Sequence, residues 1–174
     1  MPVPTIAWSG DLETGEARLV DQTLLPETYL IKSCRTPEEM WQAIQRLEVR
    51  GAPAIGLAGA LGVLLGLRGP AGSPGELRHQ VDQVAGYLAS SRPTAVNLFW
   101  ALDRMKRTAA RPWATTGEMK QGLFSEALRM VEEDREICRA LGRHGSTLIH
   151  DGDVLLTHCN AGGLATADYG TALA

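Results

Sequence analysis

Three short segments of the chain carry residue types suited to chemistry. In Val49-Arg50-Gly51-Ala52-Pro53 an arginine stands just ahead of an apolar run that reads as a helix. A helix N-terminus presents unpaired N–H groups with partial positive charge, and an adjacent arginine can complete an anion site. Gly51 allows an unusual backbone angle or a ligand's close approach, and Pro53 costs no bond at the first helical position. The same residues also read as a plain turn with a solvated arginine. Ser90-Ser91-Arg92-Pro93-Thr94 repeats the design before Ala95-Val96-Asn97-Leu98-Phe99-Trp100, with Pro93 opening a helix. Two arginine-bearing helix starts in one domain point to a phosphate pocket. Asn97 needs a partner if it is buried.

The third segment is Leu155-Leu156-Thr157-His158-Cys159-Asn160-Ala161-Gly162-Gly163. A buried strand is expected over 154–157, after the turn Asp151-Gly152-Asp153. Cys159 then falls at the carboxyl end of that strand, where open α/β sheets place ligands. Side chains alternate along a strand, so His158 and Cys159 should point to opposite faces and form no direct dyad. Oriented loop N–H groups are the alternative means of activating the thiol. The competing reading of Cys159 is a small buried hydrophobe, and Cys34 and Cys138 fit that reading well. His79, His144 and His150 show no ligand spacing, so no metal site is expected.

The elements that must position these segments are well punctuated. Short apolar or β-branched runs at 5–8, 17–20 and 28–31 predict a small antiparallel sheet. Thr36-Pro37-Glu38-Glu39, Ser73-Pro74-Gly75-Glu76 and Thr115-Thr116-Gly117-Glu118 are capping boxes that open helices. The third helix of this kind carries Met119, Leu123, Ala127, Met130, Ile137 and Leu141 and should end near Gly142 or Gly145. With the helices after Pro53 and Pro93, about five are expected before residue 145. Gly56, Gly59, Gly62 and Gly66 form a smooth strip along one of them, suited to close helix packing. The strand at 154–157 and its glycine loop read as the opening of a βα unit of a parallel sheet. Such a strand needs neighbours, so the chain is expected to be the N-terminal part of a longer protein.

Composition narrows the function classes. The 174 residues amount to one domain, or one and a piece, at ~150 residues per domain. With 44% hydrophobic and 21% charged residues a disordered chain is excluded. Seventeen Lys and Arg against twenty Asp and Glu give a net charge of −3, which argues against general nucleic-acid binding. All but three of the basic residues are arginine, the side chain that grips phosphate with two parallel bonds. Three cysteines without a CxxC pair indicate free thiols in a reducing compartment, hence a cytoplasmic protein. The start MPVPTIAWSGDLETG lacks signal-peptide character, and the apolar stretch over 54–67 is shorter than the ~20 residues of a membrane span.

Arg50-Gly51-Ala52-Pro53-Ala54-Ile55-Gly56, Ser91-Arg92-Pro93-Thr94-Ala95-Val96-Asn97-Leu98 and Thr157-His158-Cys159-Asn160 occur in order. Leu164-Ala165-Thr166 and Tyr169-Gly170-Thr171-Ala172-Leu173 follow. Together, from Asp21-Gln22 onward, the chain closely resembles the 5-methylthioribose-1-phosphate isomerase family of methionine salvage. That family shares a superfamily with ribose-1,5-bisphosphate isomerase and the alpha, beta and delta regulatory subunits of translation initiation factor 2B. The resemblance implies an α+β architecture: a mainly helical domain with a small sheet over 1–147, then a Rossmann-like domain cut short over 148–174. It also implies a homodimer with the active site between domains, and no cofactor. By matched position, Arg50, Gly51, Ala52 and Arg92 would contact the sugar phosphate and Cys159 would be catalytic. The family's catalytic aspartate would lie beyond residue 174, so the chain alone is expected to be inactive. The alternatives are a ribose-1,5-bisphosphate isomerase and a non-enzymatic regulatory subunit.

Overall fold

The computed structural model describes residues 4–174. Strands β1 (Ile6–Ser9), β2 (Glu16–Val20) and β3 (Ile31–Cys34) form an antiparallel meander in the order β1-β2-β3. Ile6 pairs with Leu19 and Ala17 with Cys34, and these four side chains enter the core, as alternation along a strand requires.

The third strand lies three residues later than the apolar pattern predicts. Asp21 explains the shift: its Oδ1 accepts from the Thr23 N–H (3.0 Å) and hydroxyl (2.6 Å), which starts a turn. The Thr28 N–H then closes on the Leu24 carbonyl at 2.8 Å. Tyr29 and Leu30 are left exposed, and pairing resumes only at Val20 with Ile31.

Five helices follow: α1 (Pro37–Gln45), α2 (Ala52–Leu65), α3 (Pro74–Ala89), α4 (Val96–Ala109) and α5 (Thr116–Gly145). Thr36, Ser73 and Thr115 each cap a helix by accepting the N–H three residues on. Only α5 has the full reciprocal box. In α1 and α3 the glutamate reaches one residue further back, Glu39 to the Arg35 N–H and Glu76 to the Gly72 N–H.

Helix α2 is the axis of the domain, buried on every side from Ala54 to Leu65. Gly56 lets α4 cross it closely, since a Cβ there would lie 2.9 Å from the Asn97 carbonyl oxygen. Helix α5 runs 30 residues and ends at Gly145, as its sequence signals predict. Its first half buries Met119, Leu123, Ala127 and Met130, whereas Ile137 and Leu141 stand 59% and 48% exposed beyond the core.

The expected strand at 154–157 is absent. Those residues form no regular element and are unpaired, with Val154 96% and Leu156 100% exposed, because no neighbouring strand offers backbone partners among the described residues. The chain instead leaves the core after a short turn at Ser146–Leu148 and returns at Ala161. A single antiparallel bridge, Gly162 with Gly170, closes the returning segment, and Ala165, Thr166, Ala167 and Asp168 are buried against the helical body.

Candidate functional site

The Arg50 turn is built by the end of α1. Glu48 and Val49 both donate backbone N–H to the Ala43 carbonyl, at 2.9 and 3.3 Å, which wraps the chain back toward α2. Val49 is fully buried and anchors the turn, while Glu48 pairs with Lys32 at 2.5 Å. Gly51 caps α2 with φ +99° and offers no side chain to the first-turn N–H groups. Pro53 sits at the second helical position, one later than expected. Arg50 is exposed, with no ion-pair partner among the described residues. An uncapped helix start beside an uncommitted guanidinium is a ready anion site.

Arg92 is half-buried and likewise unpaired among the described residues. Its position is set by Ser91, which is buried and donates its hydroxyl to the Leu88 carbonyl at 2.6 Å. Pro93 does not open the helix as predicted. The Ala95 N–H bonds to the Arg92 carbonyl at 3.1 Å, making a turn, and α4 starts at Val96 without a side-chain cap. The starts of α2 and α4 meet across one cavity of about 300 Å³, whose wall includes Pro53, Gly56, Asn97, Trp100 and Asp134.

Cys159 is exposed and lies on a loop with φ +64°, not at a strand end. A left-handed backbone at a residue with a Cβ costs about 1–2 kcal/mol, the kind of strain found in ligand loops. Without a strand nothing sets His158 and Cys159 on opposite faces, and both residues are exposed. The other two thiols match the structural reading. Burial pushes Cys34 up to about 11 and raises Cys138 as well, with the nearby Asp134 carboxylate adding to the effect on Cys138.

The loop that follows Cys159 docks against the Arg50 turn. Gly51 meets Ala165 so closely that a Cβ on the glycine would lie 2.4 Å from the Ala165 Cα. Thr5 donates its hydroxyl to the Gly163 carbonyl (2.8 Å) and its N–H to the Ala167 carbonyl (2.7 Å). Gln22 Nε2 donates to the Leu164 carbonyl at 2.8 Å. Asp134 Oδ2 accepts the Ala167 N–H at 2.7 Å, and Arg135 pairs with Asp168 at 2.8 Å. Burial holds the Asp134 carboxyl above its usual range, the Ala167 N–H opposes the rise, and the Asp168 carboxylate adds to it.

The geometry thus joins the Arg50-Gly51 turn to the segment after Cys159, and joins the starts of α2 and α4 through the cavity wall. Sequence reasoning missed Thr5, Gln22 and Asp134. Asp134 had a usable signal: with Met130 and Cys138 it continues the buried stripe of α5 at four-residue spacing, where a carboxylate is out of place. Among the described residues no group of three or more His, Cys, Asp or Glu is placed to hold a metal ion.

The fold is a helical domain with a three-stranded sheet, in which the start of α2 packs against the loop that follows Cys159. The Initiation factor 2 subunit family matches residues 48–168, and the chain belongs to that family. It is 50% identical to the 5-deoxyribose 1-phosphate isomerase of Moorella thermoacetica, over 99% of this chain and 49% of that protein. It is 51% identical to the methylthioribose-1-phosphate isomerase of Symbiobacterium thermophilum, over 90% of this chain and 44% of the relative. Two solved structures share the fold at TM-score 0.85. One is the translation initiation factor eIF-2B subunit delta from A. fulgidus, 43% identical over 98% of this chain and 49% of that one. The other is the 5-methylthioribose 1-phosphate isomerase from Pyrococcus horikoshii, 34% identical over 98% and 47%. The chain therefore spans about half the length of the relatives it matches. No helix of the described residues is long and apolar enough to cross a membrane.

Proposed function

We propose that this chain forms the phosphate-binding half of an aldose 1-phosphate isomerase, with 5-methylthioribose 1-phosphate or 5-deoxyribose 1-phosphate as substrate. The observation that carries the reading is the contact of Gly51 with Ala165, which brings an uncapped helix start to the loop bearing Cys159. Arg50, the backbone N–H groups of Gly51 and Ala52, and Arg92 bind the phosphate. The names of the two isomerase relatives support this sugar class, an aldose phosphorylated at C1 without a charged group at C5.

The chemistry suits such a site. Phosphate on the anomeric oxygen blocks the ring opening available to a free sugar, so an acid must protonate the ring oxygen as its bond to C1 breaks. Hydrogen then moves from C2 to C1, leaving a ketone at C2. No electrons leave the substrate, and no redox cofactor is required. Cys159 supplies one proton-handling group, and an aspartate from a second, Rossmann-like half beginning near residue 148 supplies the other. The enzyme works in the cytoplasm as a homodimer within methionine salvage or a parallel route for 5-deoxyribose.

The test is to incubate the 174-residue chain, and the protein at its relatives' full length, with 5-methylthioribose 1-phosphate, 5-deoxyribose 1-phosphate and ribose 1,5-bisphosphate. The ketose is read by NMR. Turnover of the first two by the long form alone is expected. Preference for ribose 1,5-bisphosphate would reassign the substrate. A second reading, a regulatory subunit, is favoured by the 43% identity to the eIF-2B delta structure. It would be left standing by complete inactivity of the long form.

A further inference from the structure

Gln22 sits where the two parts of the site meet. Its backbone N–H bonds to the Glu48 carbonyl at 2.9 Å, two residues before Arg50. Its side-chain Nε2 bonds to the Leu164 carbonyl at 2.8 Å, five residues after Cys159. One residue therefore bonds to both the anion-binding turn and the cysteine loop. The side chain is 2% exposed, and its Oε1 is buried without a hydrogen-bond partner. A buried amide oxygen left unpaired is unfavourable, and a methionine of similar length would fill the same space without it. Packing thus gives no reason to prefer glutamine here. The directional bond to Leu164 does.

We propose that Gln22 is a positioning residue that sets the Cys159 loop in register with the Arg50-Gly51 turn. The proposal rests on the isomerase reading and adds a residue to it. Thr5 and Asp134 hold the same loop, so the fold survives loss of Gln22. What changes is the placement of Leu164, and with it the thiol relative to the bound phosphate. Displacement of a reacting group by about 1 Å costs on the order of 100-fold in rate while leaving the phosphate contacts in place.

The decisive experiment compares wild type, Gln22→Met, Gln22→Glu and the exposed control Gln121→Met in the isomerase at full length. The expected result is a kcat lowered about 10- to 100-fold in Gln22→Met, with KM within about twofold and little change in melting temperature. Gln22→Glu, which buries a carboxylate beside the Leu164 carbonyl, should lose kcat as well and melt lower. Gln121→Met should match wild type. Unchanged kcat in Gln22→Met, or losses that track its melting temperature, would overturn the proposal. If wild type turns over none of the sugar phosphates, the isomerase reading fails by itself. Placement is then decided in the 174-residue chain by spin labels on Cys159 and on Ala52→Cys, with Cys34 and Cys138 buried and unlabelled. A distance distribution that broadens or shifts in Gln22→Met supports the positioning role, and an unchanged one sinks it.

Discussion

Gly51 and Ala165 touch backbone to backbone, leaving no room on the glycine for even a methyl group. Two separate demands fall on that position, the close approach and the left-handed φ of +99°.

Gly51→Ala should therefore both strain the turn and push the loop away. The backbone term alone is roughly 1–2 kcal/mol, and the crowding adds roughly 1–3 kcal/mol. A fall in melting temperature of about 4–8 °C or more is expected in a chain of this size. Wild-type stability in this variant would show that the contact is not maintained in solution.

Arg92 makes no ion pair among the described residues, so its charge is available to a ligand. Arg92→Ala should weaken binding of the sugar phosphate by about 1.5–3 kcal/mol, the worth of a charge-assisted hydrogen bond. Melting temperature should stay within a degree or two. Calorimetric titration with substrate is the measurement, and equal affinity would remove Arg92 from the site.

Among the three thiols only Cys159 is exposed. At neutral pH the folded chain should take up one equivalent of iodoacetamide, at Cys159, because burial keeps Cys34 near 11 and raises Cys138. If the proposed isomerase function holds, Cys159→Ser in the full-length protein should fold normally and lose nearly all turnover. Cys34→Ser and Cys138→Ser should keep turnover while losing some stability. Near-normal kcat in Cys159→Ser would make that thiol dispensable.

The Asp134 carboxyl titrates above its usual range because burial disfavours the charge. A group whose folded pKa lies above its unfolded value stabilises fully below the unfolded pKa, and that contribution fades as pH rises through the folded one. Asp134→Asn keeps an oxygen for the Ala167 N–H and removes the charge. It should therefore melt higher than wild type at pH 7, with the advantage shrinking as the pH is lowered. A difference independent of pH would show that the wild-type charge is not the cause.

The helices were legible in the sequence because their signals are local. Thr36, Ser73 and Thr115 each act on an N–H three residues away, and all three helix starts lie where those residues place them. Their glutamates could be read to within one residue, not better, since a flexible side chain chooses between adjacent N–H groups. The arginine turns were legible as motifs. The docking of the cysteine loop was not. It depends on bonds from Thr5 to Gly163 and from Gln22 to Leu164, separated by 158 and 142 residues, and no window along the chain contains both ends. The apolar run at 154–157 misled for the complementary reason. Hydrophobicity marks a strand that could be buried, but only a neighbour makes it one.

Thr5 stands next to the first strand, yet two of its hydrogen bonds end on Gly163 and Ala167. A ribosome releases Gly163 158 residues after Thr5. While the helices emerge and pack, Thr5 has nothing to hold on that side, and Gly51 faces open solvent where Ala165 will lie. Closing so long a loop is costly in chain entropy, and it becomes favourable only once the helical body has already brought the ends near. The Arg50-Gly51 turn and the cysteine loop are therefore joined only after the helical body that carries them has formed.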